Sequence, residues 1–102
     1  MMKILGISEV DEGRRIYLPK SVFEELGLKE NDTFLLKLGE RVYLVRQKRG
    51  SKQSIKVRVG TRQRVYLPRE ILERLKLSVG SKVIFLREGK NITLSRLEER
   101  IK

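Results

Sequence analysis

Arg41, Arg46, Lys48, Arg49, Lys52, Lys56, Arg58, Arg62, Arg64 and Arg69 follow one another within 29 residues, and no acid interrupts them between Glu40 and Glu70. Guanidinium and ammonium groups at neutral pH are poor acids, bases and nucleophiles. What they do well is neutralise phosphate, so the interval marks a place where a polyanion would dock. The wider charge distribution agrees. Of the net charge of +11, residues 1–47 contribute nothing, with eight Lys/Arg against eight Asp/Glu, and residues 48–102 contribute all, with sixteen against five.

Composition removes other chemistries. The 102 residues include no Cys and no His, so zinc fingers, thiol chemistry, disulfides and imidazole catalysis are excluded. No nucleophile-base pair, metal-ligating cluster or phosphate-cradling glycine loop is visible, and neither an enzyme nor a cofactor or metal is expected. No apolar run approaches the roughly 18 residues of a membrane span, and Glu9, Asp11 and Glu12 come too early for a secretory signal. The expectation is an intracellular, cytoplasmic, nucleoid-associated protein with no membrane partner. With 36% charged residues and five Asn plus Gln, the chain also leans toward the composition of hot-adapted proteins.

The elements that position these cations come in two copies. Residues 15–28, RIYLPKSVFEELGL, match residues 64–77, RVYLPREILERLKL, at seven of fourteen positions: Arg15/Arg64, Tyr17/Tyr66, Leu18/Leu67, Pro19/Pro68, Glu24/Glu73, Leu26/Leu75 and Leu28/Leu77. Chance would give about one, so one unit is repeated 49 residues on. In the second copy Ile55, Val57 and Val59 alternate with Lys56 and Arg58, the period of a half-buried strand. Gly60 and Thr61 break it, and a short strand with Val65 and Leu67 in one phase and Arg64 and Tyr66 in the other leads to Pro68. Proline biases the residue before it to extended geometry and is tolerated at a helix's first position, so strand passes directly to helix. Ile71, Leu72 and Leu75 share a face of two turns, as do Val22, Phe23 and Leu26. Gly27 suits the C-terminal cap of the first helix, whereas Lys76 leaves the end of the second undefined. The apolar runs from Phe34 and Val83 then read as hairpins.

Each unit therefore reads as strand, strand, short helix, hairpin: residues 1–47 and 54–102, joined by a basic linker at 48–53. The register of the leading strand ILGISEV cannot be assigned, because its alternation is poor. A unit of about 49 residues cannot bury a core large enough to offset its chain entropy. FLLKL and VIFL are apolar in both phases, which predicts two-faced burial between intertwined halves.

The pattern R-(I/V)-x-L-P-(K/R)-x-(V/I)-x-x-x-L-x-L-x-x-(N/G)-(D/S), followed by a hairpin and present twice, resembles the AbrB, MazE and SpoVT group of DNA-binding domains. The resemblance covers Arg15 to Arg46 and Arg64 to Arg96. It implies a mostly β fold with two short helices, a swapped-hairpin β-barrel formed here as an intrachain pseudo-dimer of the two repeats. It further implies duplex DNA bound through basic residues around the first strands and their loop. Two departures stand out. The family usually has Gly five residues before the helix proline, where this chain has Arg14 and Gln63, and often Arg four residues after it, where this chain has Phe23 and Leu72.

The candidate DNA-binding residues are Lys56, Arg58, Arg62, Arg64 and Arg69, with Arg14, Arg15 and Lys20 from the first copy and Lys48, Arg49 and Lys52 from the linker. The plainer reading is a solvated strand and loop. The acid-free interval favours DNA for the second copy, whereas Glu9, Asp11 and Glu12 offset the cations of the first. Tyr17 and Tyr66 take the outward phase, and Leu97 and Ile101 could open a short terminal helix. The expected function is a sequence-specific regulator of transcription, with the second half on double-stranded DNA and the neutral first half free to form a homodimer or hold a protein partner. A non-specific chromatin or RNA-binding protein shares the charge. An antitoxin fits the MazE resemblance less well, because about six residues follow the last strand.

Overall fold

A computed structural model of the chain describes residues 2–46 and 54–97. The whole proposed linker at 48–53, with Lys48, Arg49 and Lys52, and the tail beyond Leu97 lie outside the described residues. Both copies fold in the predicted order. The first gives β1 (Met2–Glu9), β2 (Arg15–Tyr17), α1 (Lys20–Glu25), β3 (Thr33–Leu38) and β4 (Val42–Val45). The second gives β5 (Ser54–Arg58), a single 3-10 turn (Thr61–Gln63), β6 (Arg64–Tyr66), α2 (Arg69–Arg74), β7 (Lys82–Glu88) and β8 (Asn91–Arg96).

The copies intertwine. The main sheet runs β1-β7-β8-β4-β3-β5, so the leading strand of each copy pairs with the hairpin of the other, and a second ribbon pairs β2 with β6. Exchanging the copies maps these ladders onto themselves. Ile16 faces Val65 at the centre of the ribbon, flanked by Arg15 opposite Tyr66 and Tyr17 opposite Arg64. At the sheet's centre Tyr43 faces Thr93, flanked by Val42 opposite Leu94 and Leu44 opposite Ile92. Neither copy could make these pairings alone, which is the physical answer to the duplication. The fold is mostly β with two short helices, as read from the sequence. The hydrogen-bonded ladder does not close into a ring. β1 and β5 are the edges of the main sheet, and the ribbon bridges them, β2 touching β1 and β6 touching β5.

Between sheet, ribbon and helices lies one apolar core that includes Phe34, Leu36, Phe85, Leu94, Val59, Val65 and Ile71, all at most 1% exposed. Each helix sends one fully buried side chain into it, Val22 and Ile71. Phe23, Leu26, Leu72 and Leu75 pack against its margin. The prolines fall one position earlier than expected. Pro19 and Pro68 are the N-caps, with ψ of 147° and 149°, and their carbonyls accept from Phe23 and Leu72 N–H at 3.0 and 3.2 Å. Both helices end alike, since Gly27 and Lys76 have φ of +62° and +56°, and Leu28 and Leu77 N–H reach back to the Phe23 and Leu72 carbonyls. The second ending, undefined in sequence, is thus the same left-handed turn held by a lysine.

The unassignable register of β1 has a local cause. Pairing with β7 steps from Ile4 opposite Leu86 to Gly6 opposite Phe85, so Leu5 is an extra residue in a bulge that turns it into the core and resets the alternation. Two-faced burial holds better for β3 than for β7. Leu35 is buried on the face away from the core cluster, but Ile84 and Leu86 are only half-buried there, and the neighbouring Ile4 and Ile7 of β1 are 62% and 53% exposed. Thr93, 1% exposed, points to that same face, and its Oγ1 has no hydrogen-bond partner. Replacing a buried unsatisfied hydroxyl by a methyl of like size removes a desolvation cost. Thr93→Val should therefore raise stability by about 1 kcal/mol, read as a higher midpoint in thermal unfolding followed by circular dichroism.

A candidate nucleic-acid interface

The acid-free interval folds into β5, the 3-10 turn and β6, and its cations point outward for reasons set by the strand period. Val57, Val59 and Val65 take the inward phase and are buried, which leaves Lys56, Arg58 and Arg64 exposed. Arg62 projects from the turn between the two strands, where its φ of +60° marks a left-handed residue. An isolated bridge between Val59 and Val65 folds the end of β5 onto β6, so strand, turn and ribbon form one corner of the surface. Lys56, Arg58 and Arg62 make no hydrogen bond or ion pair with any side chain among the described residues. Their charge is fully available.

Other cations of the sequence reading are engaged. Arg64 lies 3.6 Å from Asp11 and Arg15 lies 3.7 Å from the same carboxylate oxygen, so one acid holds the two equivalent arginines of the ribbon. Asp11 Oδ1 accepts from the Gly13 and Arg15 N–H groups, both at 2.9 Å. The Arg15 N–H bond, with the Gly13 bond and the two guanidinium groups assisting, holds the Asp11 carboxyl below the usual carboxylate range. A depressed folded-state value means that its contribution to stability is present above the ordinary carboxylate range and lost as pH falls through the lowered one. Asp11 also cancels charge at the ribbon. Asp11→Asn keeps the Oδ1 acceptor and removes the anion, so affinity for duplex should rise about threefold, with a steeper salt dependence in anisotropy titrations.

Arg69 is paired with Glu73 at 3.5 Å, but both are highly exposed, and such a pair holds the arginine weakly. Arg46, from the start of the interval, is structural: it lies 3.6 Å from Asp32 and donates to the Leu26 and Gly27 carbonyls at the end of α1. Arg14 and Lys20 are exposed and unpaired among the described residues; the Arg14 carbonyl accepts from Leu67 N–H just beyond the ribbon, and Lys20 opens α1. Tyr17 and Tyr66 are 49% and 56% exposed on the ribbon's outer face, and Tyr17 donates to Gln63 Oε1 at 2.7 Å. Arg14 and Gln63, which replace the glycine of the resembled pattern, have φ of +60° and +61°. That backbone costs a non-glycine residue roughly 1–2 kcal/mol, so the departure carries a conformational penalty in both copies.

Sequence reasoning missed one member of this surface. Lys37 of β3 is exposed and pairs with Ser54, two residues along from Leu35 opposite Lys56, so it lies on the same face as Lys56 and Arg58. It sits in the neutral first copy, and only the strand exchange brings it to the basic edge. The equivalent edge in the other half is different. Residues 49 positions before Lys56 and Arg58 are Ile7 and Glu9, so the face that is basic along β5 is apolar and acidic along β1. The helices add no basic face, since Glu24, Glu25, Glu70 and Glu73 are all exposed.

The model of a family described as "Antidote-toxin recognition MazE, bacterial antitoxin" matches residues 56–102, the second copy including the outward cations of β5 and β6. This supports the family resemblance for the second copy, which is similar to MazE-type antitoxins. The solution structure of PHS018 from Pyrococcus horikoshii is similar over 97% of this chain and 99% of that one, at 17% identity and a TM-score of 0.46. No curated protein matches. Among the described residues there is no group of three or more acids that could hold a metal, and no helix is long and apolar enough to cross a membrane.

Proposed function

We propose that the protein is a DNA-binding regulator whose second repeat docks on duplex DNA. The observation that carries this reading is the corner formed by β5, the turn and β6, where Lys56, Arg58 and Arg62 point outward with no counter-charge, beside Arg64, Arg69 and the tyrosines of the ribbon. Lys37 extends the same face, and Lys48, Arg49 and Lys52 would add to it from the linker. Most of the affinity comes from phosphate neutralisation with release of counterions, and sequence is read by a few arginines at base edges. A strand and turn, rather than a helix, present them. Arg14, Arg15 and Lys20 are secondary contacts, the first two beside the ribbon. The repeats at 1–47 and 54–102 act as one body in this reading, in the cytoplasm and on the nucleoid, and the charge-rich composition favours stability at high temperature.

A second reading rests on the family match and on the apolar face of β1. Met2, Ile4 and Ile7 are 50–62% exposed in the neutral half, where a protein partner, as for an antitoxin, or a second copy would meet no like charge. Selection from a pool of randomised duplexes tests the regulator. Enrichment of one motif, bound at least about 1,000-fold more tightly than bulk DNA, is the expected result. A pool that stays unenriched, although bound, would leave a non-specific chromatin protein.

A further inference from the structure

A hollow of about 480 Å³ opens between the loop of Arg14 and the end of α2. Its lining includes the apolar Leu72, Leu77 and Val79 and the cations Arg14, Arg69 and Lys76. Val79, 55% exposed, adds apolar surface beside these cations. Glu73 also lines the hollow but is taken by Arg69 at 3.5 Å, and Arg14 and Lys76 have no partner among the described residues. The volume falls in the range of small-molecule sites, which combine an apolar lining with a few polar groups.

Arg14 and Lys76 have φ of +60° and +56°, the left-handed region where glycine is unstrained and other residues are not. Two strained, unpaired cations thus face one hollow. The residues 49 positions away are Gln63 for Arg14, Gly27 for Lys76 and Glu30 for Val79, so the equivalent place at the end of α1 has neither of the two extra cations nor the exposed valine. The fold imposes this left-handed backbone on the equivalent positions Gln63 and Gly27 as well, but only at this hollow do both positions carry a cation.

We infer that this hollow binds a small amphipathic carboxylate, with its anionic head between Arg14 and Lys76 and a short aliphatic chain on Leu72, Leu77 and Val79. The inference is independent of the DNA reading. The same chemistry occurs in a free medium-chain acid and in the C-terminal leucine of a peptide, and the two are separable by probe.

The full-length protein is titrated with sodium octanoate, 1-octanol, inorganic phosphate and a short acetylated peptide ending in leucine, with methyl spectra and calorimetry as readouts. Octanoate is expected to saturate with a Kd below about 1 mM, shifting the Leu72, Leu77 and Val79 methyls, while octanol and phosphate bind at least tenfold more weakly. The peptide reports the source: affinity equal to octanoate's assigns a chain terminus, and weaker binding a free acid. Arg14→Gly/Lys76→Gly removes both cations and suits the backbone, so its melting temperature should rise while octanoate affinity falls at least tenfold. Val79→Glu, which places the first copy's acid in the hollow, should abolish binding. Unsaturated shifts at 10 mM octanoate, octanol binding as tightly as octanoate, or the double variant binding like the parent would each overturn the inference.

Discussion

Gly6→Ala should cost about 2–3 kcal/mol and lower the melting temperature by roughly 10–20 °C, the largest stability effect expected of a single added methyl group in this chain. A Cβ on Gly6 would stand 2.5 Å from Cγ and 2.6 Å from Cβ of Pro19. Neither partner can retreat cheaply. Pro19 is a rigid ring that caps α1 through its carbonyl, and Ser21, two residues on, donates to the Leu5 carbonyl at 2.5 Å. On the other side Gly6 is paired with Phe85, a fully buried core residue. The second copy supplies a control, because its equivalent of Gly6 is Ile55, half-buried in a strand with no bulge. Ile55→Ala should lose only the smaller burial term, and similar losses at the two positions in thermal unfolding would contradict the role given to the bulge.

The second large effect is on binding. Lys56→Ala/Arg58→Ala/Arg62→Ala removes three unpaired outward cations without touching the core face, so stability should hardly move. If each contacts one phosphate, the slope of log K against log salt becomes shallower by about 2.7, which at 0.1 M salt corresponds to roughly a 500-fold loss of affinity. Anisotropy with a labelled duplex across a salt series measures both. The matched change in the first half, Arg14→Ala/Arg15→Ala/Lys20→Ala, should change the slope by less, since Arg15 already shares the Asp11 carboxylate. Equal losses from the two triples would show a face that uses both halves alike.

Much of this architecture is written in residue order. The prolines, the apolar alternation of β5 and the repeat at 49 positions specify the elements of both copies, because each is a local property of the chain. The cations of β5 and β6 were legible for the same reason: the inward valines dictate where Lys56, Arg58 and Arg64 must point. What was illegible depends on partners far away in sequence. The bulge at Leu5 follows from fitting β1 to β7 and to Pro19, and the ILGISEV stretch alone carries no period that reveals it. Lys37 joins the basic face only through pairing of β3 with β5, and Arg46 leaves it for the end of α1. Lys76 holds a left-handed turn that favours glycine, so its type gave no sign of the turn, whereas the hydrogen bonds of α2 do.

The most direct test of the account is a two-dimensional amide spectrum of the labelled protein titrated with a mixed-sequence duplex. The largest shifts should fall on residues 56–66 and on Lys37, with smaller ones at residues 14–17 and none along residues 2–7. Shifts centred on β1 or on the acidic helices, or a spectrum unmoved by duplex at low salt, would contradict a DNA face built from the second repeat.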